Sequence, residues 1–218
     1  MADINIKDTI EHTLLRPDAT INDIIHLCDE AEAASLYAVC VHPVYVELAA
    51  NRLRGTNVKV VTVVGFPLGA SLGPVKAMEA RLAVEGHADE IDMVMNLAAA
   101  KNGQWDAVTA DIKLIVASAA PKPVKVIIET ALLTDEEKRS ACQAVIDGGA
   151  AFVKTSTGVA NGGATVEDVH LLAAAAGGKI GIKASGGIRT YEHASKSIEA
   201  GATRIGTSAG PAIAREEA

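Results

Sequence analysis

The sequence predicts an α/β fold, a single-domain (β/α)8 TIM barrel over residues 1–218, and three observations carry that expectation. Short apolar runs recur eight times along the chain, and the intervals between them carry helical spacing with recognisable starts. Runs such as VKVVTVV and KVIIE are nearly continuous in β-branched residues, the pattern of parallel strands covered on both faces. Parallel strands need crossover connections, which the helical intervals supply. Eight strand–helix units in this length fit a closed barrel near the lower end of that fold's size range. The rival doubly wound sheet carries a glycine fingerprint after its first strand, and residues 14–18 (LLRPD) contain no glycine.

In chain order, the first strand is Ile10 to Leu14, and Thr20-Ile-Asn-Asp opens the helix that continues through Ile24, Ile25 and Leu27. Ala38 to Val41, Val58 to Val64, Glu90 to Met95 and Val124 to Ile128 are the next four strands. The fifth is followed by Thr134-Asp-Glu-Glu137, a capping box. Phe152 to Lys154, Ile180 to Ala184 and Arg204 to Gly206 complete the set. No linker, low-complexity tract or charge block marks a second domain.

Composition narrows the function classes. Hydrophobic residues are 49% and charged residues 22%, as in globular chains, while aromatics at 3% imply an aliphatic, alanine-rich core. A net charge of -7 argues against a nucleic-acid surface, which needs a basic patch, but leaves room for a small anionic substrate. Trp105 and the two phenylalanines form no stacking platform for bases and read as packing residues. Three separated cysteines, Cys28, Cys40 and Cys142, do not read as a disulfide framework, so a reducing cytoplasm is expected. The opening MADINIKDTI has no apolar signal segment, and no long uncharged apolar run occurs, so no membrane association is expected. Six histidines include no HxH or HExxH pattern, and Cys40 with His42 is the one close Cys/His pair, so no metal site is expected.

Barrels place their chemistry at the C-terminal ends of the strands, where alternate side chains point inward. AFVKTSTG puts Lys154 at the end of the sixth strand, IGIKASGGIR puts Lys183 on the seventh, and EIDMVMN puts Asp92 within the fourth. If Ile91, Met93 and Met95 face the helices, Asp92 faces the interior; the same parity turns Lys154 and Phe152 inward and Val153 outward. A free lysine has a pKa of about 10.4, so a nucleophilic amine must be depressed by desolvation or by a nearby cation. Lys183, on the adjacent strand at the same height, can be that cation, with Asp92 as its partner and proton relay. The plain alternative is that both lysines snorkel from the barrel mouth and Asp92 merely neutralises them. The loops Ser185-Gly-Gly-Ile188 and Gly206-Thr-Ser-Ala-Gly210 tip the balance, because each precedes a short helix where barrels often hold a phosphate. Gly186, Gly187 and Ser208 are the candidates there, with Thr157 and Gly158 completing the cradle.

FVKTSTG, KASGGIR and GTSAG, preceded by EIDMVMN and IEHTLLRPDAT, resemble in order the 2-deoxyribose-5-phosphate aldolases of class I, the Schiff-base type. The resemblance covers essentially the whole chain. It implies a TIM barrel without a metal or other cofactor, cleaving 2-deoxy-D-ribose 5-phosphate to acetaldehyde and D-glyceraldehyde 3-phosphate. It implies Lys154 as the Schiff-base lysine, Lys183 as the second lysine and Asp92 as the acid/base carboxylate. Gly158, Gly186, Gly187 and Ser208 match the phosphate loops, and Cys40 is placed near the substrate, where aldehyde by-products could modify it.

The chain departs from the family in three places. Glu11 stands in IEHT where members often carry Asp, a longer carboxylate at the barrel mouth. Val159 follows STG where some carry Lys or an aromatic, implying a weaker phosphate grip. The chain stops at Arg215-Glu-Glu-Ala218, without the tyrosine-ended tail of some relatives. Without the resemblance, the residues reach lysine-dependent chemistry on a phosphorylated carbonyl compound. Another Schiff-base aldolase, a transaldolase, or a phosphate-binding barrel without chemistry are the alternatives. A homo-oligomer is compatible with the sequence, which does not specify assembly.

Overall fold

A computed structural model describes residues 5–216; the first four residues of the opening stretch, together with Glu217 and Ala218 of the closing one, lie outside it. Eight parallel strands close into a barrel in sequence order, with the first paired to the eighth. They are β1 (Ile10–Leu14), β2 (Ala38–Val41), β3 (Lys59–Val64), β4 (Glu90–Val94), β5 (Val124–Ile127), β6 (Phe152–Lys154), β7 (Gly181–Ser185) and β8 (Arg204–Thr207). Every strand expected from sequence is present, with ends shifted by at most a residue where the ladder starts or stops.

The outer layer holds α1 (Ile21–Ala33), α2 (Val46–Arg52), α3 (Gly73–Glu85), α4 (Leu97–Lys101), α5 (Trp105–Ala119), α6 (Asp135–Asp147), α7 (Val166–Ala176), α8 (Tyr191–Glu199) and α9 (Gly210–Glu216). Thr20 and Asp23 cap α1 reciprocally, and Thr134 and Glu137 do the same for α6, satisfying N–H groups that the first turn leaves without partners. The connection from β4 to β5 carries two helices, α4 and α5, with a break at Asn102-Gly103-Gln104. Among the described residues, no helix is long and apolar enough to cross a membrane.

The core between sheet and helices is aliphatic and alanine-rich. Ile91, Met93, Met95 and Val153 belong to it, so the parity that turns Asp92 and Lys154 inward holds. The interior itself divides in two. Ala38, Cys40, Val61 and Val63 from β2 and β3 form a small apolar cluster, while the walls from β1 and β4 to β8 carry buried charges. That division positions the site.

Candidate active site

Lys154 ends β6 and is directly opposite Lys183 in the strand register, as equal height requires. Asp92 Oδ2 accepts from both ammonium groups, Lys154 Nζ at 2.7 Å and Lys183 Nζ at 2.6 Å. Lys183 and Asp92 are wholly buried, whereas Lys154 keeps 3% exposure and reaches the wall of a cavity of about 650 Å³. The snorkelling alternative therefore fails: neither lysine extends its ammonium into bulk water.

Sequence reasoning missed a third lysine. Lys125, second in β5, is fully buried, pairs with Asp92 in the register and donates to Asp92 Oδ1 at 2.8 Å. It also forms ion pairs with Glu90 at 2.6 Å and Glu11 at 3.4 Å. It lies within the strand expected over Val124 to Ile128, and its register with inward-facing Phe152 of β6 turns it inward too. Glu11 needs a correction: it lies inside the barrel rather than at its mouth, wholly buried, where its Oε2 accepts a short hydrogen bond from Lys183. Its register partner on β8 is Gly206, where an added Cβ would lie 3.1 Å from Lys183 Cε. The missing side chain leaves the room through which the lysine stem meets the longer carboxylate.

The two neighbouring lysines move in opposite directions. Burial is the largest influence on each. For Lys154 it wins, aided by the positive charge of Lys183 and opposed by Asp92, so the pKa falls below the usual lysine value. For Lys183 burial is outweighed by Asp92 and Glu11, and the pKa rises. The like-charge effect expected from the sequence is present, but desolvation exceeds it. Burial would raise Asp92, but Lys125, Lys154 and Lys183 overcome it and hold the carboxyl well below its ordinary range. Burial pulls Lys125 down, and Asp92, Glu11 and Glu90 more than reverse this, keeping it cationic.

The cavity wall contains Lys154, Thr157, Gly158, Gly186, Gly187 and Ser208, so the expected cradle and the amine meet in one space. Gly186 has φ +90° and lies against Gly163, whose Cα would be 3.0 Å from an added Cβ; only glycine combines that dihedral with that approach. Ala164 N donates to the Gly186 carbonyl and Ser185 Oγ to that of Ser156, so the loops after β6 and β7 are bound together. Thr157 is also engaged within the protein. Its hydroxyl donates to Glu129 Oε2 at 2.6 Å and accepts from Val159 N, while its own N–H also donates to Glu129. Its polar groups thus hold the loop in shape. Glu129, with a left-handed φ of +54°, was not identified from sequence; only its position at a strand end could have signalled it.

Cys40 lies inside the barrel but outside the cavity wall, packed with Ala38, Val61 and Val63. Burial pushes its thiol up to about 11, which disfavours the thiolate that aldehyde modification would need. Its neighbour in sequence, His42, turns instead to the Leu15 carbonyl at 3.1 Å. Among the described residues no three His, Cys, Asp or Glu side chains converge as metal ligands would. Val159 is exposed at the cavity rim, and two guanidinium groups overlooked from sequence, Arg16 and Arg189, share the same wall. Arg16 is tied to Asp18 and Asp23, whereas Arg189 has no ion-pair partner among the described residues.

The profile of the DeoC/LacD family aldolases matches residues 7–216. A deoxyribose-phosphate aldolase of Deinococcus radiodurans is 53% identical over 207 residues, covering 95% of this chain and 94% of its own. A solved structure described as a putative deoxyribose-phosphate aldolase from Coccidioides immitis superposes with a TM-score of 0.96 at 40% identity, covering 98% of this chain and 85% of the other. Another, from Aeropyrum pernix and described as tetrameric, superposes with a TM-score of 0.88 at 34% identity, over 97% and 90% of the two chains.

Proposed function

Because the chain belongs to the DeoC/LacD family of aldolases, we infer that it is an aldehyde-lyase that reversibly cleaves 2-deoxy-D-ribose 5-phosphate to acetaldehyde and D-glyceraldehyde 3-phosphate. One observation carries the mechanism: two lysines share one buried carboxylate oxygen, and only Lys154 opens to the cavity. The neutral Lys154 amine attacks the C1 aldehyde of the open-chain sugar, and loss of water gives an iminium that draws electrons from the C2–C3 bond. As that bond breaks, the C3 hydroxyl gives up its proton. Asp92, between the Lys125 and Lys183 ammonium groups and the Lys154 iminium, is too weak a base to keep that proton, so it works as a relay together with Lys183 and water. The enamine left on Lys154 takes a proton at carbon, and hydrolysis releases acetaldehyde and the free amine. The iminium performs the role a Lewis-acid metal would otherwise have.

We assign the substrate phosphate to the cradle of Gly158, Gly186, Gly187 and Ser208, with Arg189 as the nearby cation that Val159 does not provide. Ser208 is exposed and makes no hydrogen bond among the described residues, so its hydroxyl is free to donate. Cys40 is left out of the substrate contacts, and Thr157 acts by shaping its loop. The test is borohydride reduction with acetaldehyde, followed by peptide mass spectrometry. One ethyl group on Lys154 is expected; stoichiometric labelling at Lys183 overturns the roles.

We further propose that the chain acts as one domain in a reducing cytoplasm, in keeping with three free, buried cysteines. Self-association is part of the same reading, since Val75, Met78 and Leu82 lie exposed on α3 and Leu72 just before it. Sedimentation of the purified chain decides it, and a strictly monomeric species removes it.

A further inference from the structure

Beneath the two reacting lysines, toward the N-terminal end of the barrel, lies a charged group that the mechanism does not use. Glu90, first in β4, ion-pairs with Lys125 at 2.6 Å and lies 3.8 Å from Arg204 of β8, and its Oε1 accepts a short hydrogen bond from Tyr37. Arg204 also lies 3.8 Å from Glu11, and its guanidinium stacks 3.7 Å from the Tyr37 ring centre and 5.2 Å from that of Phe152. The interior is therefore one connected set with four cations, Lys125, Lys154, Lys183 and Arg204, and three carboxylates, Glu11, Glu90 and Asp92.

A buried set one carboxylate short is neutral only when one amine has lost its proton. The contacts say which. Lys125 faces three carboxylates and Lys183 two, whereas Lys154 has Asp92 alone and shares the same oxygen with Lys183. Arg204 does not deprotonate.

We propose that Glu90 and Arg204, remote from the cavity, are positioning residues that set the charge balance under which Lys154 is the neutral amine. Resting on the aldolase reading, this deepens it by extending the determinants of the nucleophile to the far end of the barrel. Glu90 neutralises Lys125 and so leaves Asp92 free to divide its charge between the upper lysines; Arg204 adds the surplus positive charge. The groups facing Glu90 are Tyr37 from the segment before β2, Lys125 from β5 and Arg204 from β8. Those facing Lys154 are Asp92, Lys183 and the un-ionised Cys40. The low pKa of Glu90 and the raised one of Tyr37 agree with a charged carboxylate and a neutral phenol there.

Opposite signs follow from the two ends of the balance. Glu90→Gln removes a negative charge and should lower the Lys154 pKa, moving the acidic limb of kcat/KM to lower pH. Arg204→Met removes a positive charge and should move it to higher pH. At a separation of about 10 Å and an effective dielectric near 20, each shift should be about one pH unit, less for Arg204, which is 18% exposed. Arg204→Lys keeps the charge and should leave the limb in place, and the double variant Glu90→Gln with Arg204→Met should return it close to the parent position.

The experiment measures kcat/KM against pH for cleavage of 2-deoxy-D-ribose 5-phosphate. In parallel, it follows the pH dependence of borohydride-trapped ethyl-Lys154 formed from acetaldehyde alone. Displacements of opposite sign in both profiles, cancelled in the double variant, support the proposal. Unmoved limbs, or limbs moving the same way, overturn it even where activity falls. If Glu90→Gln does not fold, the contrast between Arg204→Met and Arg204→Lys decides, and equal profiles for those two overturn it. A parent protein that acetaldehyde does not label at Lys154 overturns the aldolase reading first, and this inference with it.

Discussion

Lys183→Leu separates the electrostatic role of the second lysine from a direct one. Lys154 Nζ and Lys183 Nζ lie 2.7 and 2.6 Å from the same oxygen of Asp92. That places two like charges about 4 Å apart, and at an effective dielectric near 20 their repulsion is about 4 kcal/mol, or roughly three pH units. With Lys183 gone, the Lys154 pKa rises by up to that amount, because Asp92 also turns its full charge on the remaining amine. The reactive form is the neutral amine, so at neutral pH kcat/KM should fall by as much as about a thousandfold. Below the new pKa the loss should then recover about tenfold per pH unit as the proton is removed. Burying Leu beside Glu11 leaves that carboxylate with only its longer pairings to Lys125 and Arg204, so Lys183→Leu with Glu11→Gln is the companion variant for stability. The assay is kcat/KM across pH with a folding check at each point. A profile unchanged in position refutes the charge argument, and one equally depressed at every pH assigns Lys183 to proton transfer itself.

Three further outcomes test other parts of the site. Ser208→Asp should depress activity on the phosphorylated sugar far more than on 2-deoxy-D-ribose, since a carboxylate would face the dianion; equal losses on both sugars would make the loop after β8 a simple turn. Glu129→Gly keeps the left-handed backbone conformation while removing the carboxylate that holds Thr157, so KM for the phosphorylated sugar should rise about tenfold with the Lys154 pH limb unmoved. A moved limb would place Glu129 in the charge network instead. Exhaustive chelation should leave activity intact, because the iminium supplies the electron sink; loss reversed by added zinc would contradict it.

Strand number was legible from the eight apolar runs, and facing from the two-residue period within a strand. Once Asp92 was assigned inward, Ile91 and Met93 had to face the helices, and they do. Lys154 and Lys183 were legible because each ends an apolar run at a glycine-rich loop, a pattern with few structural uses. Lys125 failed to stand out for the opposite reason: it sits between valines, and a lysine beside an apolar run ordinarily belongs to a solvent edge. Glu90 and Arg204 open their strands, where charged residues commonly face water. What made them interior was closure of the barrel, and no local window contains that. Thr157 was legible at the cavity, but its bond to Glu129 was not, because that partner is 28 residues away in sequence.

The division of the barrel interior explains how so many buried charges coexist with a stable fold. Removing an ion from water costs several kcal/mol even in favourable surroundings, so an ionic interior persists only if almost every charge meets an opposite one. Here the charges come from β1 and β4 to β8, while β2 and β3 contribute the apolar quarter around Cys40. Glycines provide the space. An added Cβ at Gly181 would lie 2.3 Å from the Phe152 ring, and one at Gly206 would crowd Ser185 and the Lys183 stem. These two positions, on neighbouring strands, let long side chains cross the axis and reach partners on the opposite wall. Such crossing makes the network one electrostatic unit, so a charge near the floor of the barrel affects the amine at its mouth. A barrel filled with branched aliphatic side chains would gain stability by avoiding these desolvation costs. It would also lose the means of holding one lysine neutral beside two that stay charged.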